Sequence, residues 1–188
     1  MQASGFVLAG GASKRMGRDK ALLPYSGETL VQHVAGIVRE AAGSVALIGD
    51  PERLGHLGLT VLSDELPGHG PASGIYTALR TTQTDWNAIV ACDMPAVTAD
   101  LLRELLRRAE TAQRNCVAPT GPYGQPEPLC AIYHRRCLPA LGRAIRDKRL
   151  RMRDLVKEIG AVWVRVEAPA LANVNTPAEW ADFEAKLS

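Results

Sequence analysis

The stretch LAGGASKRMGRDKALL, Leu8 to Leu23, gathers residue types that handle phosphate. The apolar run GFVLA stops at Gly10 and Gly11, and Lys14, Arg15, Arg18, Lys20 and Asp19 crowd into the next nine positions. Two adjacent glycines carry no side chains, so backbone N–H groups can approach a ligand closely. Successive amides in a turn form a concavity that binds anions. Arg15 adds a bidentate fork and Lys20 a mobile point charge, both able to follow phosphate oxygens. A nucleoside triphosphate fits this chemistry; the plainer reading is a tight turn with solvated cations.

Two further segments bear chemistry. In Ala91-Cys92-Asp93-Met94-Pro95 an acid follows directly on the apolar run WNAIVA. A lone carboxylate there can hold Mg²⁺, which binds through one or two carboxylates plus phosphate oxygens; it can equally cap a turn. Cys92 reads as a small buried residue rather than a nucleophile. In SDELPGHGPASG, Asp64 follows another strand and can meet a base, a ribose or a metal. The glycines of that segment lead into a helix whose N-terminus favours anions. His69 there reads as an acid/base or, more simply, as a solvent-facing loop histidine. Asn175 or Thr176 has ordinary work capping the last helix, whereas Asn173 is free to reach a ligand.

The common phosphate signatures are missing. There is no GxxxxGK[ST], and Gly68-His69-Gly70 begins a GxGxxG that Ser73 fails to complete. That argues against a P-loop GTPase and a dinucleotide-binding dehydrogenase.

The elements that must position these residues alternate. Gly5–Ala9, Ser44–Ile48, Leu59–Leu62 and Trp86–Ala91 read as buried strands. Thr29–Ala42, Pro71–Arg80 and Thr98 to about Ala109 read as amphipathic helices, with Thr98 as an N-cap. Leu129–Tyr133 and Ala161–Val166 read as further strands, and Cys137–Ile145 and Leu150–Ile159 as helices. Thr176-Pro177-Ala178-Glu179 is a capping box with proline at the first helical position, opening a terminal helix. The pattern predicts an α/β fold, a three-layer αβα sandwich around a mostly parallel Rossmann-like sheet. In such sheets ligands bind outside the carboxyl ends of the strands, where all three segments fall.

Composition narrows the class. A chain of 188 residues, 46% apolar, has enough material for one full core. A net charge of +2 without a basic stripe excludes general nucleic-acid binding. Cys92, Cys116, Cys130 and Cys137 include no CxxC pair, so they read as reduced thiols in a cytoplasmic protein rather than zinc ligands. The start MQASGFVLAGG has neither the basic region nor the apolar length of a secretion signal.

Taken together, LAGGASKRMGRDK, DELPGHGPASGI, ACDMP, PLCAIY and NVNTPAEW resemble the molybdenum cofactor guanylyltransferases, the MobA family, in order and over nearly the whole chain. LAGG-x-x-x-RMG-x-DK alone is similar to the wider nucleotidyltransferase group, including cytidylyltransferases acting on sugar phosphates or molybdopterin; GPASGI and NVNTP point to the guanylyl branch. The family usually has leucine where Ala72 sits. The resemblance implies a fold of the nucleotide-diphospho-sugar transferase type and transfer of GMP from GTP to the molybdenum cofactor, with release of pyrophosphate. It implies nucleotide contacts at Leu8, Ala9, Gly10 and Gly11, phosphate at Lys20, nucleotide at Asp64, and both nucleotide and Mg²⁺ at Asp93. Another nucleotide contact falls near Gly49 and Asp50, where the family has asparagine. With Arg15, Lys20 and Asp93 as the catalytic set, residues 1 to about 115 would bind nucleotide. Residues from about 116 to 188, including Tyr133 and Arg143–Arg153, would meet the pterin or an acceptor protein. The implied partners are GTP, the molybdenum cofactor and acceptor molybdoenzymes, with no nucleic acid and no membrane.

Overall fold

A computed structural model describes residues 2–10, 19–167 and 170–185. Its centre is a seven-stranded sheet. In chain order the elements are β1 (Ala3–Leu8), a hairpin of β2 (Pro24–Tyr25) and β3 (Glu28–Thr29), α1 (Leu30–Ala42), β4 (Ala46–Ile48), α2 (Pro51–Leu54) and β5 (Val61–Leu62). Then follow α3 (Pro71–Thr81), β6 (Trp86–Ala91), α4 (Ala99–Thr111), β7 (Cys116–Thr120), β8 (Cys130–His134), α5 (Leu138–Arg146), α6 (Met152–Ile159), β9 (Val162–Arg165) and α7 (Pro177–Ala185).

The sheet order is β5-β4-β1-β6-β8-β7-β9. The first four strands are parallel, as is the β7–β9 pair, and β8 alone runs the other way. Alternation along the strands splits the core by face. Val7, Val90 and Ile132 meet Leu30, Val34 and Val38 of α1 and Leu102 and Leu105 of α4. Phe6, Ile89 and Tyr133 meet Ile75 of α3, Leu141 of α5 and Leu155 of α6. Three layers result, as expected from the sequence. Gly5 is what lets α1 lie so close to the sheet: a Cβ there would sit 2.4 Å from Val38 Cγ1 and 2.5 Å from the Ser44 carbonyl oxygen.

Local signals set the ends. Thr29 and Gln32 form a reciprocal capping box at α1, and Thr98 Oγ accepts the Leu101 N–H at 3.2 Å to start α4. The hairpin turn Ser26-Gly27 has φ of 45° and 88°, as a two-residue hairpin loop with right-handed twist requires. Three features differ from the sequence reading, among them α2, where Gly49-Asp50-Pro51 reads only as a break after the strand. Strand β7 was not foreseen, because Pro119 lies inside it and proline normally marks a strand edge or break. The hairpin was not foreseen either, because two residues per strand leave no period to detect.

All four cysteines are free. Among the described residues, no helix is long and apolar enough to cross a membrane.

Candidate active site

The hydrogen-bond ladder continues past the ends of the parallel strands and sets their loops side by side. Cys92 N donates to the Leu8 carbonyl (3.1 Å), Ala9 N to the Ile48 carbonyl (2.8 Å) and Gly49 N to the Leu62 carbonyl (2.9 Å). The loops after β6, β1, β4 and β5 thus leave one edge together.

Asp93 and Lys20 meet at the middle of that edge. Lys20 Nζ lies 3.3 Å from Asp93 Oδ2 and donates to Asn175 Oδ1 at 2.7 Å. Both charged side chains are largely shielded, 13% and 23% exposed, so their attraction is less screened than that of a surface pair. Asp93 is fixed from below by its own carbonyl, which accepts the Val174 N–H at 2.9 Å. The segment Asn173-Val174-Asn175 therefore packs under the carboxylate. Thr176 and Glu179 supply the capping box that opens α7: the Glu179 carboxylate accepts the N–H groups of Asn175 (2.6 Å) and Thr176 (3.0 Å), and Thr176 Oγ1 accepts the Glu179 N–H at 3.2 Å. Asn175 is thereby released from capping and serves Lys20. Tyr25 of the hairpin packs against Trp180 and Phe183 of α7, with ring centroids 6.1 and 5.9 Å apart.

Lys20 has a second support. Asp19 caps the 3₁₀ turn Lys20–Leu22, its carboxylate accepting the Ala21 N–H at 3.1 Å. The Arg53 guanidinium, on α2, donates to that same carboxylate and to the carbonyl of Ala9. One side chain thus ties the end of β1 to the turn that carries Lys20. Gly10 is exposed, and among the described residues an added Cβ there would meet the Ile48 carbonyl oxygen at 4.0 Å.

Asp64 organises its own loop. Ser73 Oγ donates to Oδ2 at 2.6 Å, and the Leu66 N–H and Thr77 Oγ1 donate to Oδ1 at 3.0 and 3.2 Å. Gly70, at φ 63° and ψ −153°, holds a conformation essentially reserved for glycine and turns the chain into α3. His69 Nδ1 lies 3.0 Å from the Leu66 carbonyl, a staple within the loop.

Several expectations are redirected. Asp50 caps α2, accepting the Glu52 N–H at 3.0 Å, and Gly49 is bare because a Cβ would meet Leu54 Cδ1 at 2.9 Å. Tyr133, expected at the pterin, is fully buried and donates to the Pro128 carbonyl at 2.8 Å, so it is core. A strand covered on both faces buries all its side chains. The Arg143–Arg153 stretch divides: Arg149 forms exposed ion pairs with Glu158 and Asp147, whereas Arg153 lines a cavity beyond Asp93. Gly11 and Arg15 lie outside the described residues. Burial, and next the Asp93 charge, push the Cys92 thiol up to about 12, which leaves it protonated and unfit as a nucleophile.

Asp93 is the residue that could hold a metal. Among the described residues, no three His, Cys, Asp or Glu side chains gather into a metal cage. One carboxylate at the sheet edge suits Mg²⁺, which takes its other ligands from phosphates and water. Arg53, Ser73, Thr77 and Asn175 were not picked out as site residues from sequence. Ser73 and Thr77 act on Asp64 within 13 residues, whereas the partners of the other two lie far along the chain, 34 residues away for Arg53–Asp19 and 155 for Lys20–Asn175.

The MobA-like NTP transferase domain matches residues 5–162 of the chain. A probable molybdenum cofactor guanylyltransferase of Pelotomaculum thermopropionicum is 35% identical over 95% of this chain and 90% of its own length. One from Bacillus subtilis is likewise 35% identical, over 96% and 94%. The crystal structure of molybdopterin-guanine dinucleotide biosynthesis protein A from Archaeoglobus fulgidus superposes with a TM-score of 0.83 at 25% identity, covering 98% of both chains.

Proposed function

The chain belongs to the MobA-like NTP transferase family, and from that premise we propose how its residues carry out a guanylyl transfer. The enzyme transfers GMP from GTP to the molybdenum cofactor and releases pyrophosphate. A phosphate oxygen of the acceptor attacks the α-phosphorus, and the bond from that phosphorus to the β-phosphate oxygen breaks. The observation that carries this reading is the Lys20–Asp93–Asn175 cluster at the carboxyl edge of the sheet.

The work is positioning and charge compensation. A phosphate monoester is already nucleophilic, so no general base is needed, and the protonated Cys92 and stapled His69 agree with that. Leu8, Ala9, Gly10 and Gly11 seat the nucleotide, with Asp64 holding the neighbouring loop in place. Lys20, placed by Asn175 and the Arg53–Asp19 tie, turns its charge to the phosphates, and Arg15 adds another cation. Asp93 would hold Mg²⁺, which when bound offsets phosphate charge. The acceptor approaches from residues 116–188. Acceptor molybdoenzymes would receive the product in the cytoplasm, the compartment that suits four free thiols.

Pyrophosphate release from GTP, CTP and ATP, each with Mg²⁺ and molybdenum cofactor, tests this. GTP is expected to be used in strong preference. Preference for CTP would move the enzyme to the cytidylyl branch with the same Lys20 and Asp93.

A further inference from the structure

Beyond Asp93, on the side away from the nucleotide loops, lies a cavity of about 250 Å³. Its walls include Gly121, Pro122, Gln125, Glu127, Arg153 and Leu171. The loop that forms one wall is tightly closed: Gly121 N donates to the Gln125 carbonyl at 3.0 Å and Gly124 N to the Gly121 carbonyl at 2.9 Å. Glu127 is fixed at both ends. Its N–H donates to the Pro119 carbonyl at 2.9 Å, and its carboxylate accepts the Leu129 N–H at 3.3 Å. Asn173 approaches from the run after β9, and its Oδ1 is buried with no hydrogen-bond partner among the described residues. A preset, half-buried carboxylate therefore lines a mostly apolar cavity beside the catalytic pair.

A carboxylate is all acceptor, so its matching ligand edge is two adjacent N–H donors. A 2-amino-4-oxopyrimidine ring offers that edge through its 2-amino group and neighbouring ring N–H. Both guanine and a pterin present it. Position decides between them. The loops after β1, β4 and β5 lie to one side of Asp93 in the sheet order, and β7 and β9, whose ends border the cavity, lie to the other. In-line displacement brings nucleophile and leaving group to opposite faces of the phosphorus. The cavity is also below the roughly 300 Å³ at which ligand pockets usually begin, room for a head group rather than a nucleotide.

We propose that Glu127 is the specificity residue for the acceptor: from this cavity it reads the 2-amino/N–H edge of the pterin, with Arg153 beside it supplying positive charge. This rests on the guanylyltransferase reading for the identity of the acceptor, while the edge recognition is a property of the cavity. Burial raises the Glu127 carboxyl pKa, only partly offset by the Leu129 N–H and Arg153, as befits a group short of donors until a ligand arrives.

The experiment compares wild type and Glu127→Gln by fluorescence titration with 6-hydroxymethylpterin and its 2-oxo counterpart, 6-hydroxymethyllumazine. GTP affinity and turnover of molybdenum cofactor are measured on the same samples. Wild type is expected to prefer the 2-amino ring by about tenfold or more, because the 2-oxo analogue faces the carboxylate with an acceptor. Glu127→Gln is expected to erase that preference and raise the KM for molybdenum cofactor about tenfold, with kcat and GTP affinity within about twofold. An unselective wild type, or a variant that keeps the preference, overturns the inference. So does lost GTP affinity in the variant, since the carboxylate would then be reading guanine. A wild type that selects the pterin but makes no pyrophosphate from GTP refutes the transferase reading and leaves the edge recognition standing.

Discussion

The two sides of the sheet build their binding surfaces differently. On the β5-β4-β1-β6 side every strand is parallel, and each loop leaves directly from a strand end whose neighbour is hydrogen-bonded past the last paired residue. Side chains there are already paired: Asp64 with Ser73 and Thr77, Arg53 with Asp19 and Ala9. On the β8-β7-β9 side one strand is reversed, so the surface is made from a turn between β7 and β8 and from the irregular run after β9. A cavity remains there, and Tyr123 stands 93% exposed at the tip of the turn. Parallel strand ends give a surface that is set before the nucleotide arrives. Connections around an antiparallel strand leave a cavity of about 250 Å³. Asp93 and Lys20 stand between the two.

That division can be broken in graded steps. The shared centre should show the largest effect. Asp93→Ala is expected to lower kcat on the order of 10³-fold and Lys20→Ala about 10²-fold, with thermal unfolding close to wild type. Near-normal turnover by either variant would remove the centre from the mechanism. Arg53→Ala loosens the nucleotide side directly and the centre only through the turn that carries Lys20. It should raise the KM for GTP about tenfold and that for molybdenum cofactor by much less. Equal changes in both would erase the division. The smallest effect is on stability. Burial raises the Glu127 carboxyl pKa in the folded state, so the native protein holds that proton more tightly than the unfolded chain does. The stability linked to that proton is full at low pH and is lost as pH rises through the raised folded value. Glu127→Gln should therefore melt slightly higher than wild type at neutral pH. The gain should vanish as pH falls through the carboxylate range. A variant less stable at neutral pH would contradict the stated cause.

Sequence made the nucleotide side more legible than the other. Buried strands such as Trp86–Ala91 leave uninterrupted apolar runs, and Asp93 and Lys20 stand out because they punctuate such runs. Thr98 and the Thr176–Glu179 box declare helix starts within four residues, so local pattern suffices. Strand β7 hid behind Pro119, and α2 is too short to show a period. Arg53, Asn175 and Glu127 carry no local mark: each matters through a partner or cavity that only the folded chain assembles. Tyr133 misled because a tyrosine at a strand end invites a ligand reading, whereas its hydroxyl is spent on the Pro128 carbonyl.

The reach of Asn175 across 155 positions to Lys20 sets the order in which the enzyme comes into being. During synthesis β1, β4, β5 and β6 emerge before the segment that carries Asn175. The Val174 amide under Asp93, the Asn175 side-chain oxygen on Lys20, and the rings of Trp180 and Phe183 on Tyr25 arrive last. A partly translated chain can hold the nucleotide side of its fold without the groups that aim the lysine. Chemistry on a labile cofactor thus waits for the α7 segment to leave the ribosome.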